Sequence, residues 1–313
     1  MSTIKKVAIF GASGNFGTPI TAALINAGFT LTIFTRPNST SSFPPGIPIV
    51  KVDYSDEEGL AKELKGQDAV VSVLGPAAVG CGKGMVDAAF KAGVGRFILN
   101  DFGWGFGENA LPEFKSIGEK RSIAWERAME LASSSPSSPF TWTGITIGCP
   151  IDWALAKFPK MGFNLDTHQA TIYDSGTEYF TGTTLSGIGQ AVVGVLLNAA
   201  EETTRNRFVK VRSVMTCQND ILAALQKREK EGKEWSIEYS TAKQVLDEGR
   251  RKYENGEGGW ALDLLVYQLF APGERRCVVV GDGEEDLKDC RLLGVLQEGV
   301  DDVVGKAMGR VRG

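Results

Sequence analysis

The chain has 313 residues, 42% hydrophobic and 23% charged, which are the proportions of a globular protein and exclude a largely disordered one. With 34 Lys and Arg against 38 Asp and Glu, the net charge is −4, so no basic excess draws it to nucleic acid or an anionic lipid surface. Five widely spaced cysteines without a C-x-x-C, and the single histidine His168, argue against a disulfide framework, a zinc site and multi-histidine metal catalysis.

Along its first half the chain alternates strand and helix patterns. Val7-Ala8-Ile9-Phe10 is a short apolar run of the kind a buried parallel strand requires. A helix follows, with Pro19 suited to its first turn and Gly28 to its stop. Leu31 to Phe34 and Ile49 to Val52 read as the next strands, and Ser55-Asp56-Glu57-Glu58 as a capping-box helix start. Ala69 to Leu74 is a fourth strand, Gly84 to Lys91 a helix ending at Gly93, and Phe97 to Leu99 a fifth strand. Phe114 to about Leu131 is a long helix, Ser133 to Pro139 a Ser/Pro-rich loop, and Thr141 to Ile147 a β-branched sixth strand.

This alternation predicts an α/β fold, a doubly wound parallel sheet of Rossmann type, over residues 1–150. From 151 to 313 the regularity breaks down, and a smaller interleaved substrate-binding lobe is expected there. Ile151 to Thr184 reads as short strand-like pieces and turns. The helix pattern at 187–198 is expected to rejoin the first layer. Phe208 to Val211 is a strand; helices are expected from Asn219, over Ala242 to Tyr253 and over Trp260 to Phe270. The last of these is apolar nearly all round, which suits core packing and leaves one side available to line a pocket. No stretch is long and apolar enough to cross a membrane, and the first strand begins too early for a leader, so a cytoplasmic protein is expected.

The strongest motif is Gly11-Ala12-Ser13-Gly14-Asn15-Phe16-Gly17, placed after a strand and opening a helix. Glycines permit a tight turn and close approach of a pyrophosphate, and the helix start offers unpaired N–H groups and a positive dipole end. The spacing is G-x-x-G-x-x-G rather than the G-x-G-x-x-G of the standard dinucleotide loop. At the end of the second strand, where an NAD site carries Asp or Glu, stand Thr35-Arg36-Pro37-Asn38-Ser39-Thr40. Arg36 would pair with a 2′-phosphate that an acid would repel, so NADP(H) is the expected cofactor. Gly75 and Pro76 end the fourth strand, where they either approach the nicotinamide ribose or form a plain turn.

Gly11 to Gly17, Arg36, the strand end Asn100-Asp101-Phe102-Gly103 and the helix bearing Lys120 together resemble the NmrA-like, isoflavone-reductase-like proteins, which are atypical short-chain dehydrogenases. Phe140 to Gly148 and Tyr173 to Gly189 resemble the filamentous-fungal branch. The resemblance covers most of the chain and implies either an NADPH-dependent reductase of a small metabolite, acting on a C=N or activated C=C bond, or an NADP-binding regulator that binds a partner protein without turnover. It implies a catalytic role for Lys120. Ser13, Asn15 and Phe16 of the glycine turn and Asn100 at the strand end join Gly75 and Pro76 as candidate cofactor contacts. Asn100-Asp101 departs from the Ser-Glu of the plant-type reductases.

Lys120 also has an argument of its own. Ile117, Lys120 and Ala124 share a helix face, so the lysine either faces a pocket, where desolvation would tune it for proton transfer, or is a surface residue among Lys115, Arg121 and Arg127. Cys149-Pro150-Ile151-Asp152-Trp153, after the sixth strand, is a candidate edge for the nicotinamide and substrate. His168 reads as a structural or surface residue more readily than as a proton donor. Tyr239-Ser240-Thr241-Ala242-Lys243 has the Tyr-x-x-x-Lys letters of ordinary short-chain dehydrogenases but falls outside the dinucleotide layer. The same missing tyrosine argues against a sugar-nucleotide epimerase. The expected partner is a small molecule, with no nucleic acid and no membrane, and a homodimer is compatible with the sequence.

Overall fold

The computed structural model describes residues 3–75, 77–103, 110–134, 139–200, 202–229 and 234–312. Its first half follows the expected alternation closely. The elements are β1 (Lys6–Phe10), α1 (Gly17–Asn26), β2 (Thr30–Thr35), β3 (Ile49–Lys51), α2 (Glu57–Glu63), β4 (Ala69–Ser72) and α3 (Gly82–Lys91). They continue with β5 (Arg96–Ile98), α4 (Lys115–Ser133) and β6 (Thr141–Thr146). Gly28 and Gly93, read as helix stops, take φ of 81° and 79°, the left-handed region that a side chain resists. The cap of α2 is Asp56, whose carboxylate accepts from Gly59 N, one residue later than the Ser55 start predicted.

The central sheet has seven strands in the order β10-β6-β5-β4-β1-β2-β3. Each neighbouring pair is parallel. The first six follow the doubly wound order, with the reversal between β1 and β4. The seventh, β10 (Arg207–Lys210), comes from the second half and lies parallel to β6. The helix expected at 187–198 is α6 (Leu185–Leu197), and it does join the first layer. Ile188, Val192 and Val195 pack with Ile20 and Leu24 of α1 beneath one face of the sheet. Gly189 admits the α1 backbone so closely that a Cβ there would lie 2.8 Å from the Ala23 methyl. The other face is covered by α2, α3 and α4 through Leu60, Met85, Trp125 and their neighbours.

The second half also builds a separate core. It contains α5 (Ile151–Lys157), β7 (Phe163–Asn164), β8 (Gln169–Tyr173) and β9 (Phe180–Gly182) before α6. After β10 come β11 (Val214–Thr216), α7 (Gln218–Arg228), β12 (Ser236–Ser240), α8 (Ala242–Glu254), α9 (Trp260–Phe270), α10 (Lys288–Leu293) and α11 (Val300–Arg312). Where the sequence suggested strand-like pieces from Ile151, the chain first makes the seven-residue helix α5. That helix is buried on most sides, so it shows no polar face from which its period is readable.

Asp152 ties α6, which packs on the central sheet, to α11 of the second core. Its side chain is fully buried. One oxygen accepts from Leu185 N at 2.9 Å, at the start of α6, and the other takes two bonds from Arg310 of α11, at 2.9 and 2.7 Å. A buried carboxylate left without its cation costs several kcal/mol, whereas one backbone N–H returns only about 1 kcal/mol. Arg310→Ala should therefore lower stability by about 3 kcal/mol, measured as a lower urea midpoint, with part of the loss recovered by Arg310→Lys.

Candidate active site at the strand ends

The turn after β1 is where backbone crowding is greatest. Gly11 has φ of 78°, and a Cβ on it would lie 2.0 Å from Val73 O, just beyond β4. A Cβ on Gly17 would lie 1.9 Å from Gly11 O. These two glycines serve the packing of backbone on backbone. Gly14 is different: a Cβ on it would meet only Gly11 O, at 3.3 Å, and the residue is exposed. Space beside Gly14 is thus left free by the protein itself.

Helix α1 starts without a side-chain cap and without an acidic residue in its first turn. Among the described residues, no protein acceptor takes the N–H groups of Asn15, Phe16 or Gly17, while Gly14 N is used within the turn on Gly11 O at 3.0 Å. Open N–H groups at the positive end of a ten-residue helix, beside a glycine with an empty flank, fit the pyrophosphate of a dinucleotide. Arg36, at the end of β2, is exposed and has no carboxylate partner among the described residues. The hydroxyl of Ser13 meets that of Ser41 at 3.0 Å, which brings the loop after Arg36 against the glycine turn. Ser41 was not singled out from the sequence, because nothing local marks a serine that a turn 28 residues away will meet.

Asn100 and Gly75 lie at neighbouring strand ends, joined by a bond of 2.9 Å from Asn100 Nδ2 to Leu74 O. Pro76 lies outside the described residues. Phe102 has φ of 38° and packs its ring 6.3 Å from that of Phe16, so the strand end of β5 and the start of α1 meet edge to face. Asp101 is buried beneath them and accepts from Thr146 Oγ1 at 2.8 Å. Burial pushes its carboxyl up to about 6, against the opposing pull of the Thr146 bond and the nearby Arg121.

Lys120 stands on the second turn of α4. Its neighbour Arg121 reaches Asp101 O at 3.5 Å, which places this part of the helix at the end of β5. Lys120 itself is exposed, and Ile117 is 41% exposed, so the protein's own side chains do not desolvate the lysine. The apolar stripe inferred from spacing does not close over it. Only Ala124 packs inward, with its methyl 3.0 Å from where a Cβ on Gly82 would stand.

Beyond the end of β6 a cavity of about 250 Å³ opens between residues 148–158 and α9. Cys149, Pro150 and Trp153 form one wall, and Leu262, Leu265 and Leu269 of α9 form the other. Gly148 N donates to Gly103 O at 3.0 Å, so this wall is continuous with the end of β5. Of the run Cys149 to Trp153, Ile151 and Asp152 turn away into the core. The helix over Trp260 to Phe270 has the expected bounds and fills both roles considered for it, core on one side and pocket on the other. The cavity's two cysteines, Cys149 and Cys277, are buried; burial lifts the first thiol well above its ordinary value and the second to about 12.

The remaining candidates lie elsewhere. His168 pairs with Glu229 at 2.9 Å and lies 5.4 Å from the Trp235 ring at a tilt of 57°, which is a structural setting. Tyr239 is 77% exposed on β12, and Lys243 is engaged with Asp247. Among the described residues no cluster of His, Cys, Asp and Glu could hold a metal, and no helix is long and apolar enough to cross a membrane.

Comparison with known proteins agrees with this architecture. Residues 3–143 match the model of the NmrA-like family. The chain is 50% identical over 297 residues to the oxidoreductase poxI of Penicillium oxalicum, covering 95% of this chain and 92% of that one. It is 36% identical over 286 residues to the oxidoreductase aprR of Aspergillus flavus, covering 85% and 92%. The chain belongs to the NmrA-like family. Leucoanthocyanidin reductase of Vitis vinifera, solved in its binary complex with NADPH, shares the fold with a TM-score of 0.75 at 21% identity, over 97% of this chain and 99% of that one.

Two measurements check the site as described. Gly17→Ala should cost about 1–3 kcal/mol by overpacking. Gly14→Ala should change stability by less than about 1 kcal/mol while weakening nucleotide binding, read by thermal unfolding with and without nucleotide. Asp101, with its folded value raised to about 6 from an ordinary 3.8, favours folding most when protonated. Wild-type stability should therefore fall relative to Asp101→Asn as pH rises from about 4 to 6, by up to ~3 kcal/mol, and run parallel to the variant above that range.

Proposed function

We propose that this chain is an NADPH-dependent reductase of a small specialised metabolite. The reading is carried by two features of one sheet: a glycine turn after β1 with open N–H groups and a free flank, and an apolar cavity beyond the end of β6. Relatives named as oxidoreductases at 50% and 36% identity support it. Residues 151–313 then supply the substrate side, with α6 and β10 returned to the nucleotide-binding layer.

Bound NADPH would supply a hydride to the electron-poor carbon of a C=N or activated C=C bond. The turn from Gly11 to Gly17 holds the pyrophosphate through N–H groups, without a side-chain charge. Arg36, exposed and uncommitted, meets the 2′-phosphate, which an NAD cofactor lacks. Asn100 and Gly75 fix the strand ends against the nicotinamide ribose. Trp153 and the leucines of α9 exclude water from the substrate. Lys120 delivers a proton to the reduced bond, directly or through one water; its exposure lets it exchange that proton with solvent between turnovers. Both cavity cysteines, held as neutral thiols by burial, stay unreactive beside an electrophilic substrate. A sensor that binds NADP(H) and a protein partner needs the same turn; the apolar cavity favours turnover over sensing.

The test is deuteride transfer. Nicotinamide-deuterated NADPH and a small-molecule extract of the source organism should give a product one deuterium heavier, dependent on the protein. Lys120→Ala should keep NADPH binding within about twofold and lose at least about 100-fold in product formation. Full activity of that variant refutes the lysine's role, and absence of any product with NADPH bound shifts the reading to the sensor.

A further inference from the structure

We infer that the molecule taken by the cavity beyond β6 carries an acidic group, a carboxylate or its equivalent, on an apolar frame, and that Lys157 selects it. The inference rests on the reading of that cavity as the substrate site. Lys157 is the one ionised side chain among the cavity's described lining, and no carboxylate lines it. It is the last residue of α5, exposed, and has no carboxylate partner among the described residues.

The neighbouring charges are already committed. Asp152, on the same helix, is held by Arg310. Lys160, three residues on, pairs with Asp263, which also takes Lys252. Lys157 alone is left to the cavity. It lines the cavity together with Trp153 and Phe158, and its exposure leaves the ammonium group in reach of solvent. The end of α5 favours a cation by its dipole. Apolar walls raise the worth of a single charge at their rim, because less water screens it. A neutral ligand would gain the apolar contacts and leave the lysine unanswered; an anionic one gains both.

A matched pair of probes tests this by calorimetry on the full chain saturated with NADP+. The pair is 2-naphthoate and its neutral amide. The wild type should bind the carboxylate about tenfold more tightly than the amide. Lys157→Met should abolish that preference and leave amide binding within about twofold, while Lys157→Arg should retain most of it. The preference should shrink as salt is raised. Equal binding of both probes by the wild type, a preference that survives in Lys157→Met, or binding of neither probe overturns the inference. Titration of NADP+ on the same samples is read separately: its failure would strike the reductase reading, whereas its success with a failed probe preference strikes only the role of Lys157.

Discussion

Three backbones meet at the switch point of the sheet with no room for a side chain between them. The turn after β1 touches the end of β4 through Gly11, and the start of α1 touches that turn through Gly17. This contact sets the direction of α1, and with it the open N–H groups that face the crevice. It also fixes how deep α1 lies on the sheet, and so where α6 must pack against it. Everything that follows in the site is measured from this point, including the Phe16–Phe102 contact that joins β5 to the same corner.

The two halves of the chain interlock rather than lie side by side. The second half gives the first a helix and an edge strand, and Asp152 holds the start of that helix to α11 of the second core. The cavity lies beyond the end of β6, with one wall formed by residues 148–158 and the other supplied by α9, more than a hundred residues later in the chain. Such an arrangement lets α9 vary in sequence, and the pocket with it, while the nucleotide turn stays untouched.

Most of the first layer was legible because its signals are local. Strand runs such as Val7 to Phe10, the stops at Gly28 and Gly93, and the turn from Gly11 to Gly17 declare themselves within a few residues. The place of β10 was not legible, since four residues carry no mark of the strand they will pair with. Helix α5 was hidden by its burial on most sides. In the site, Arg36 and the glycines fall where spacing put them, at the ends of β2 and β1. The sequence left Lys120 open between a pocket and the surface, because a 3–4 spacing reports a shared face but not whether another element covers it; in the structure it is exposed. Ser41 and Lys157 depended on contacts made only after folding.

The seventh strand has a consequence for how the polypeptide leaves the ribosome. β6 is buried along its whole length in the finished protein, yet its partner on one side is made about sixty residues later. Until Arg207–Lys210 emerge, β6 stands at the margin of the layer with the backbone groups of one edge open. At translation speeds of about 5–20 residues per second that interval lasts several seconds, long enough for another nascent chain to pair there. The late strand thus acts as a lid on a self-association hazard, and any truncation before it would be expected to yield aggregates rather than a smaller nucleotide-binding domain.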